Sequence, residues 1–138
     1  MKTAAIIQAR TGSTRLPGKV VMELNGKPIL QWVVERLKKS RKINQICVAT
    51  TTESRDDQVC IIAKKLCVKY FRGSENDVLL RVREAADALR MKDNDLVVRI
   101  TADCPFIDPE VTDEVISFHE KNKFDYTNNV VDTAHFPR

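Results

Sequence analysis

Strand-like and helix-like stretches alternate along this chain with short punctuation between them, which predicts an α/β fold with a largely parallel sheet covered by helices. The apolar run Ala4-Ala5-Ile6-Ile7 leads directly into a turn rich in Gly and Arg, as strands do at the carboxyl edge of open α/β sheets. At 138 residues, 43% of them hydrophobic, the chain can form one sizeable core, so residues 1–138 read as a single domain.

The elements follow in order. Ala4 to Ile7 form the first strand. Pro28 marks a helix start, and Ile29, Leu30, Val33, Val34 and Leu37 recur at helical spacing behind it. Ile46 to Ala49 is the second strand, and Thr50 to Ser54 offers caps for a helix from about Arg55 to Leu66. A short strand near Val68 to Phe71 comes next. Ser74 stands three residues before Asp77 in a start resembling a capping box, and Val78, Leu79, Val82, Ala85, Ala86 and Leu89 mark one face of the following helix. Leu96 to Ile100 is the strongest strand. Asp108-Pro109 caps a last helix with Val111, Val115 and Phe118 along one side, and Phe124 to Asn129 reads as a final strand.

The first turn, Gln8-Ala-Arg-Thr-Gly-Ser-Thr-Arg-Leu-Pro-Gly-Lys19, brings Arg10, Arg15 and Lys19 together without a carboxylate. Gly12 and Gly18 let backbone approach an anion, and a guanidinium fork matches phosphate oxygens in pairs. The segment reads as a polyphosphate cradle. It is not a Walker A loop: five residues separate the glycines and Val20, not a hydroxyl, follows Lys19. Nor does any set of glycines match the dinucleotide fingerprint. Asp103, just past the strongest strand, would emerge beside the cradle, where a single carboxylate with substrate phosphates suits a magnesium ion.

Composition excludes other classes. The net charge of +4 is asymmetric, with residues 1–46 holding ten Lys or Arg against only Glu23 and Glu35. Lys38, Lys39, Arg41 and Lys42 fall where a helix ends and complement its dipole, and aromatic residues are too few for stacking on bases, so no nucleic-acid partner is expected. Four apolar residues after Met-Lys-Thr make neither a signal segment nor a membrane span, so a cytoplasmic protein without a membrane partner is expected. Cys47, Cys60, Cys67 and Cys104 include no Cys-x-x-Cys pair and read as reduced, mostly buried thiols. Cys104 has no nearby His to make it a nucleophile, and His119 and His135 read as surface residues.

The cradle resembles the signature of cytidylyltransferases that activate acidic sugars, such as CMP-Kdo synthetase. With Phe71-Arg-Gly-Ser-Glu-Asn-Asp-Val78 and Arg99-Ile-Thr-Ala-Asp-Cys-Pro-Phe-Ile-Asp-Pro109, the chain is most similar to the branch called spore coat polysaccharide biosynthesis protein F. The resemblance implies a nucleotide-diphospho-sugar transferase fold, a three-layer α/β/α sandwich related to the GT-A glycosyltransferases. It implies transfer of CMP from CTP to a sugar acid with Mg2+, and is compatible with a homodimer. Arg10 and Lys19 match triphosphate-contacting positions, and Asp103 matches the first metal-binding aspartate. Gln8, Ala9, Gly12, Ser13, Arg15 and Thr101 would line the substrate site, and Arg72, Ser74 and Asp77 lie where base or sugar contacts are expected; on the residues alone they read equally as a helix-start turn.

Two departures accompany the resemblance. Sugar-acid synthetases read Gln-Gly-Asp where this chain has Thr101-Ala102-Asp103, which leaves base selectivity open. The family continues beyond a Phe-Pro-Arg-like turn to a second metal-binding carboxylate, whereas this sequence stops at Phe136-Pro137-Arg138; a chain truncated there is expected to bind nucleotide but to turn over poorly. Two other functions share the expected fold: a GT-A glycosyltransferase, disfavoured by Pro105 in place of the second Asp of an Asp-x-Asp pair, and a nucleotide-binding module without catalysis.

Overall fold

The computed structural model describes residues 1–129, so His135 and the Phe136-Pro137-Arg138 turn lie outside the described residues. Strand β1 (Thr3–Gln8) is followed by a hairpin of β2 (Glu23–Leu24) and β3 (Lys27–Pro28), then helix α1 (Ile29–Leu37). Next come β4 (Gln45–Thr51), α2 (Asp57–Lys65), β5 (Lys69–Gly73), α3 (Val78–Ala88), β6 (Leu96–Thr101) and α4 (Pro109–Asn122). The main sheet has the order β5-β4-β1-β6, every neighbouring pair parallel.

Alternation along β1 explains the layers, because successive side chains point to opposite faces. Ala5 and Ile7 join Val48 under α1 and α2, packing on Leu30, Val33, Val34, Leu37, Val59 and Ala63. Ala4 and Ile6 join Cys47 and Ala49 on the other face, under Val82, Ala85 and Leu89 of α3. Both faces of β1 are therefore dry, which is why its sequence is continuously apolar. Each such Ile, Leu or Val contributes about 1.5–3 kcal/mol of transfer free energy. Helix α4 is tied to the loop that follows α1: Asp113 accepts hydrogen bonds from Ser40 Oγ (2.5 Å) and the Arg41 amide (2.9 Å), and Lys42 pairs with Glu120 (2.7 Å). The result is the α/β/α sandwich the sequence predicts.

Several local expectations are corrected. Residues 124–129 form no strand; the Phe124 ring packs instead against α4, 5.8 Å from that of Phe118. Leu79, expected on the buried face of α3, is 76% exposed, because the face seated on the sheet follows Val82, Ala85 and Leu89. In α4 the buried line is Thr112 and Ile116, one turn apart, and Phe118 faces outward. No side chain from Thr50 to Ser54 caps α2, which is entered through a 3-10 turn at Ser54–Asp56. Asp77 is itself the N-cap of α3, accepting from the Leu80 amide at 2.8 Å, while Ser74 Oγ accepts from the Asp77 amide.

The hairpin had a signal in the sequence that the helix reading of Pro28 obscured. Asn25 and Gly26 both take positive φ (52° and 79°), as a two-residue turn between antiparallel strands requires. Trp32 Nε1 donates to Leu24 O at 2.7 Å, tying the hairpin to α1. Of the four free cysteines, Cys47 and Cys60 are buried, Cys104 is half-buried and Cys67 is exposed, so only two match the expectation of burial.

Candidate active site

The ladder continues past the strand ends: Ala9 N donates to Ala49 O (3.0 Å) and Ala102 N to Gln8 O (3.1 Å). These bonds align the loops leaving β1, β4 and β6 at one edge. The loop after β1 then curls, its Thr11 carbonyl accepting from both Ser13 N (2.9 Å) and Gly18 N (2.8 Å). Gly18 turns the chain with φ 74°, and buried Val20 anchors the 3-10 turn at Lys19–Val21. A side chain at position 18 would be strained in that left-handed conformation.

This curl returns Lys19 to the sheet edge, where its Nζ lies 2.8 Å from Asp103 Oδ2. The hydrogen bond from Lys19, with a further one from Thr101 outweighing partial burial, holds the Asp103 carboxyl below the usual range. Asp103 is thus an ionised, half-exposed oxygen donor beside a cationic loop. Among the described residues no cluster of three or more His, Cys, Asp or Glu side chains is placed to hold a metal. One hard carboxylate fits a magnesium ion completed by substrate phosphates and does not fit an all-protein cage.

Asp56 is the residue that holds the cradle in shape, and sequence reasoning missed it. It is fully buried; Oδ1 accepts from Thr11 N (2.7 Å) and Thr11 Oγ1 (2.8 Å), while Oδ2 accepts from Thr51 Oγ1. Burial pushes its pKa up, but the bonds from Thr51 and Thr11 outweigh this and keep it below the usual carboxylate range. One carboxylate therefore staples the loop after β1 to the end of β4 and the entry to α2. The Asp56-Asp57 pair after a strand end was the available signal; nothing local distinguishes which of the two is buried.

The remaining predicted residues divide into two groups. Arg10, Gly12, Ser13 and Lys19 lie on the cradle with exposed Arg15, and Gln8 and Ala9 underlie it at the end of β1; Thr101 closes β6. Gln8 Oε1 is buried without a hydrogen-bond partner among the described residues. Arg72, in contrast, spends its guanidinium within the fold: Nε donates to Thr51 O (2.8 Å), Nη1 to Asp57 (2.6 Å) and Nη2 to Glu53 O (2.8 Å). Ser74 and Asp77 serve the turn and cap of α3, the helix-start arrangement anticipated for that segment.

A parallel sheet whose carboxyl edge joins a basic loop to an acidic strand end is suited to holding the phosphates of a nucleotide. The family model described as cytidylyltransferase matches residues 4–137, and the chain belongs to that family. It is 44% identical over 133 residues to an uncharacterised protein of Methanocaldococcus jannaschii, covering 95% of this chain and 54% of that one. Spore coat polysaccharide biosynthesis protein SpsF of Bacillus subtilis is 37% identical, with coverage of 88% and 51%. The 8-amino-3,8-dideoxy-manno-octulosonate cytidylyltransferase of Shewanella baltica is 36% identical, with coverage of 88% and 49%.

Among solved structures, a cytidylyltransferase from Leptospira borgpetersenii superposes with a TM-score of 0.82 at 41% identity, covering 89% of this chain and 50% of that one. CMP:2-keto-3-deoxy-manno-octonic acid synthetase complexed with CTP gives 0.74 at 25% identity, with coverage of 89% and 49%. The chain spans about half the length of the curated relatives it matches.

Proposed function

We propose that this chain carries the nucleotide-binding half of a cytidylyltransferase that transfers CMP from CTP to an acidic sugar for surface polysaccharide synthesis. The observation that carries the reading is the Lys19–Asp103 contact of 2.8 Å, which unites the cationic loop with the carboxylate at the end of β6. Relatives named for CTP and for a sugar acid support it. The proposed use of CTP places its site of action in the cytoplasm. No helix among the described residues is long and apolar enough to cross a membrane.

In this reaction an acceptor hydroxyl oxygen attacks the α-phosphorus of CTP, the bond to the β-phosphate oxygen breaks, and pyrophosphate leaves with its electron pair. Arg10, Arg15 and Lys19 neutralise charge on the phosphates and hold the leaving group in line, acting through position and preorganised electrostatics. No protein nucleophile is required. Asp103 would hold a magnesium ion, which when bound supplies neutralisation of the phosphate charge. Gln8 and Ala9, at the end of β1, underlie the cradle and are assigned to the substrate site with it.

Calorimetry with CTP, UTP, GTP, ATP and UDP-sugars in magnesium, on wild type and Lys19→Ala, tests the proposal. Selective CTP binding that is lost in the variant is expected. Preference for UDP-sugars, or nucleotide binding indifferent to Lys19, would overturn it. For the metal, Mn2+ relaxation enhancement in the presence of CTP should disappear in Asp103→Asn.

A further inference from the structure

Two guanidinium groups share one carboxylate oxygen at the side of the cradle, and a third holds the backbone beneath it. Arg10 Nη1 lies 3.8 Å from Glu75 Oε1, and Arg55 pairs with the same oxygen. Arg81, 1% exposed, comes from beneath: its Nη1 donates to Ser74 O (2.5 Å) and Glu75 O (3.4 Å), and its Nε has no partner among the described residues. Of the neighbouring carboxylates, Asp56 is already engaged by Thr11 and Thr51, and Glu84 lies over Gly73 beside the Arg81 stem. At the cradle itself, two guanidinium groups thus face the single Glu75 carboxylate.

That anion sits over the glycine of the cradle. A Cβ built on Gly12 would lie 2.8 Å from Arg55 Nη2 and 3.0 Å from Glu75 Oε1, so the ion pair rests directly on the bare backbone at position 12. Close approach of a negative oxygen to a glycine backbone flanked by two arginines is what a phosphate site provides. Here a side chain of the protein itself supplies the oxygen.

We propose that Glu75 is a built-in surrogate anion, occupying the place of a nucleotide phosphate over Gly12, and that phosphate binding expels it and recruits Arg55 as a further phosphate ligand. The inference rests on the reading of the loop as a nucleotide phosphate site. The exchange leaves the arginines paired with an anion throughout: a carboxylate leaves them as phosphate oxygens arrive. It is also mechanically simple. Arg81 pins the backbone carbonyls of Ser74 and Glu75, so the loop stays while the Glu75 side chain alone rotates out. The Arg55 side chain is 51% exposed, so the pair it makes is weakly held against a multiply charged competitor.

The test is calorimetry of CTP and of inorganic tripolyphosphate on wild type, Glu75→Gln, Arg55→Gln, the double variant and Lys19→Ala, with melting curves for each. Removing the competitor should tighten tripolyphosphate and CTP binding in Glu75→Gln by roughly tenfold, the scale of one charge-assisted hydrogen bond. Without ligand that variant should melt below wild type, and tripolyphosphate should raise its midpoint more than it raises that of wild type. Arg55→Gln should weaken binding both alone and in the Glu75→Gln background.

Unchanged or weaker binding in Glu75→Gln overturns the surrogate role. Loss of the Arg55 effect in the double variant shows that Arg55 only holds Glu75, and overturns its assignment as a ligand. If CTP binding depends on Lys19 while both of these variants bind like wild type, this inference fails and the nucleotide reading stands. If wild type binds neither probe, both fall together.

Discussion

Lys19 Nζ and Asp103 Oδ2 meet at 2.8 Å although 84 positions separate them in the chain. Neither residue belongs to a regular strand or α-helix; each is delivered by a loop that departs from the carboxyl edge of the sheet. The pair joins the two chemistries of the candidate site, phosphate neutralisation and a hard oxygen donor.

Loss of this contact should be felt in binding more than in stability. The two side chains are 34% and 46% exposed, so solvent screening limits their pair to about 0.2–1 kcal/mol. Lys19→Ala should shift the melting midpoint by about 4 °C or less. The same variant should weaken CTP by roughly tenfold or more, as expected for a lost charged hydrogen bond. A large drop in melting temperature with unaltered affinity would reverse these roles.

Asp56→Ala should behave in the opposite way. It removes the acceptor for Thr11 N at 2.7 Å and for two threonine hydroxyls, leaving a buried backbone donor unsatisfied. The cost should be about 3 kcal/mol, or roughly 10 °C in melting midpoint. Asp56→Asn keeps one acceptor oxygen and should lose less. Denaturant titration of the three proteins checks the order.

Acid should weaken the fold through a small set of carboxylates. Asp103 is held below the ordinary range chiefly by Lys19, and Asp95 by the amides of Lys2 and Lys92. In Asp56 and Asp113 burial pushes upward, but hydrogen bonds from Thr51 and Thr11, and from Ser40, Arg41 and Lys42, prevail and lower them. A carboxyl whose folded pKa is depressed stabilises fully above its unfolded value, about 3.9 for Asp, and loses that contribution as pH falls through the folded value. Stability should therefore be insensitive to these groups near neutrality and decline below about pH 4. Asp56→Asn should show a shallower decline in the same melts.

The cysteines should label in the order of their exposure. Burial raises the Cys47 thiol to about 11, and burial likewise raises that of Cys60. Cys67 is exposed at the end of α2. Because the thiolate is the reactive form, a thiol-specific chromophoric reagent at neutral pH should modify Cys67 first and Cys47 only upon unfolding. Early modification of Cys47 would contradict its place beneath α3.

How much of this was legible varied with the range of the interaction involved. The continuous apolar character of Ala4 to Ile7 requires burial on both faces, so a central parallel strand was readable from four residues. The cradle was readable because its cations and glycines are neighbours in sequence. Asn25-Gly26 carried a hairpin signal as strong as any, and the competing helix signal at Pro28 hid it. Leu79 and Phe118 were misplaced because helical spacing gives a period and not the phase at which a helix meets its sheet. The Asp56-Asp57 pair did not say which carboxylate is buried, and the Arg10–Arg55–Glu75 cluster had no local signature, since the partners come from separate loops.

By itself, the sequence determined the alternation of strands and helices, the parallel sheet and the basic loop at its edge, because each is encoded in short-range periodicity and turn chemistry. Only the tertiary structure decided that Lys19 faces Asp103, that Asp56 is the buried staple, that Arg72 braces the fold and that Glu75 lies over Gly12. Those relations depend on strand order and register, which bring distant loops to one edge of a sheet, and no local propensity specifies such a meeting.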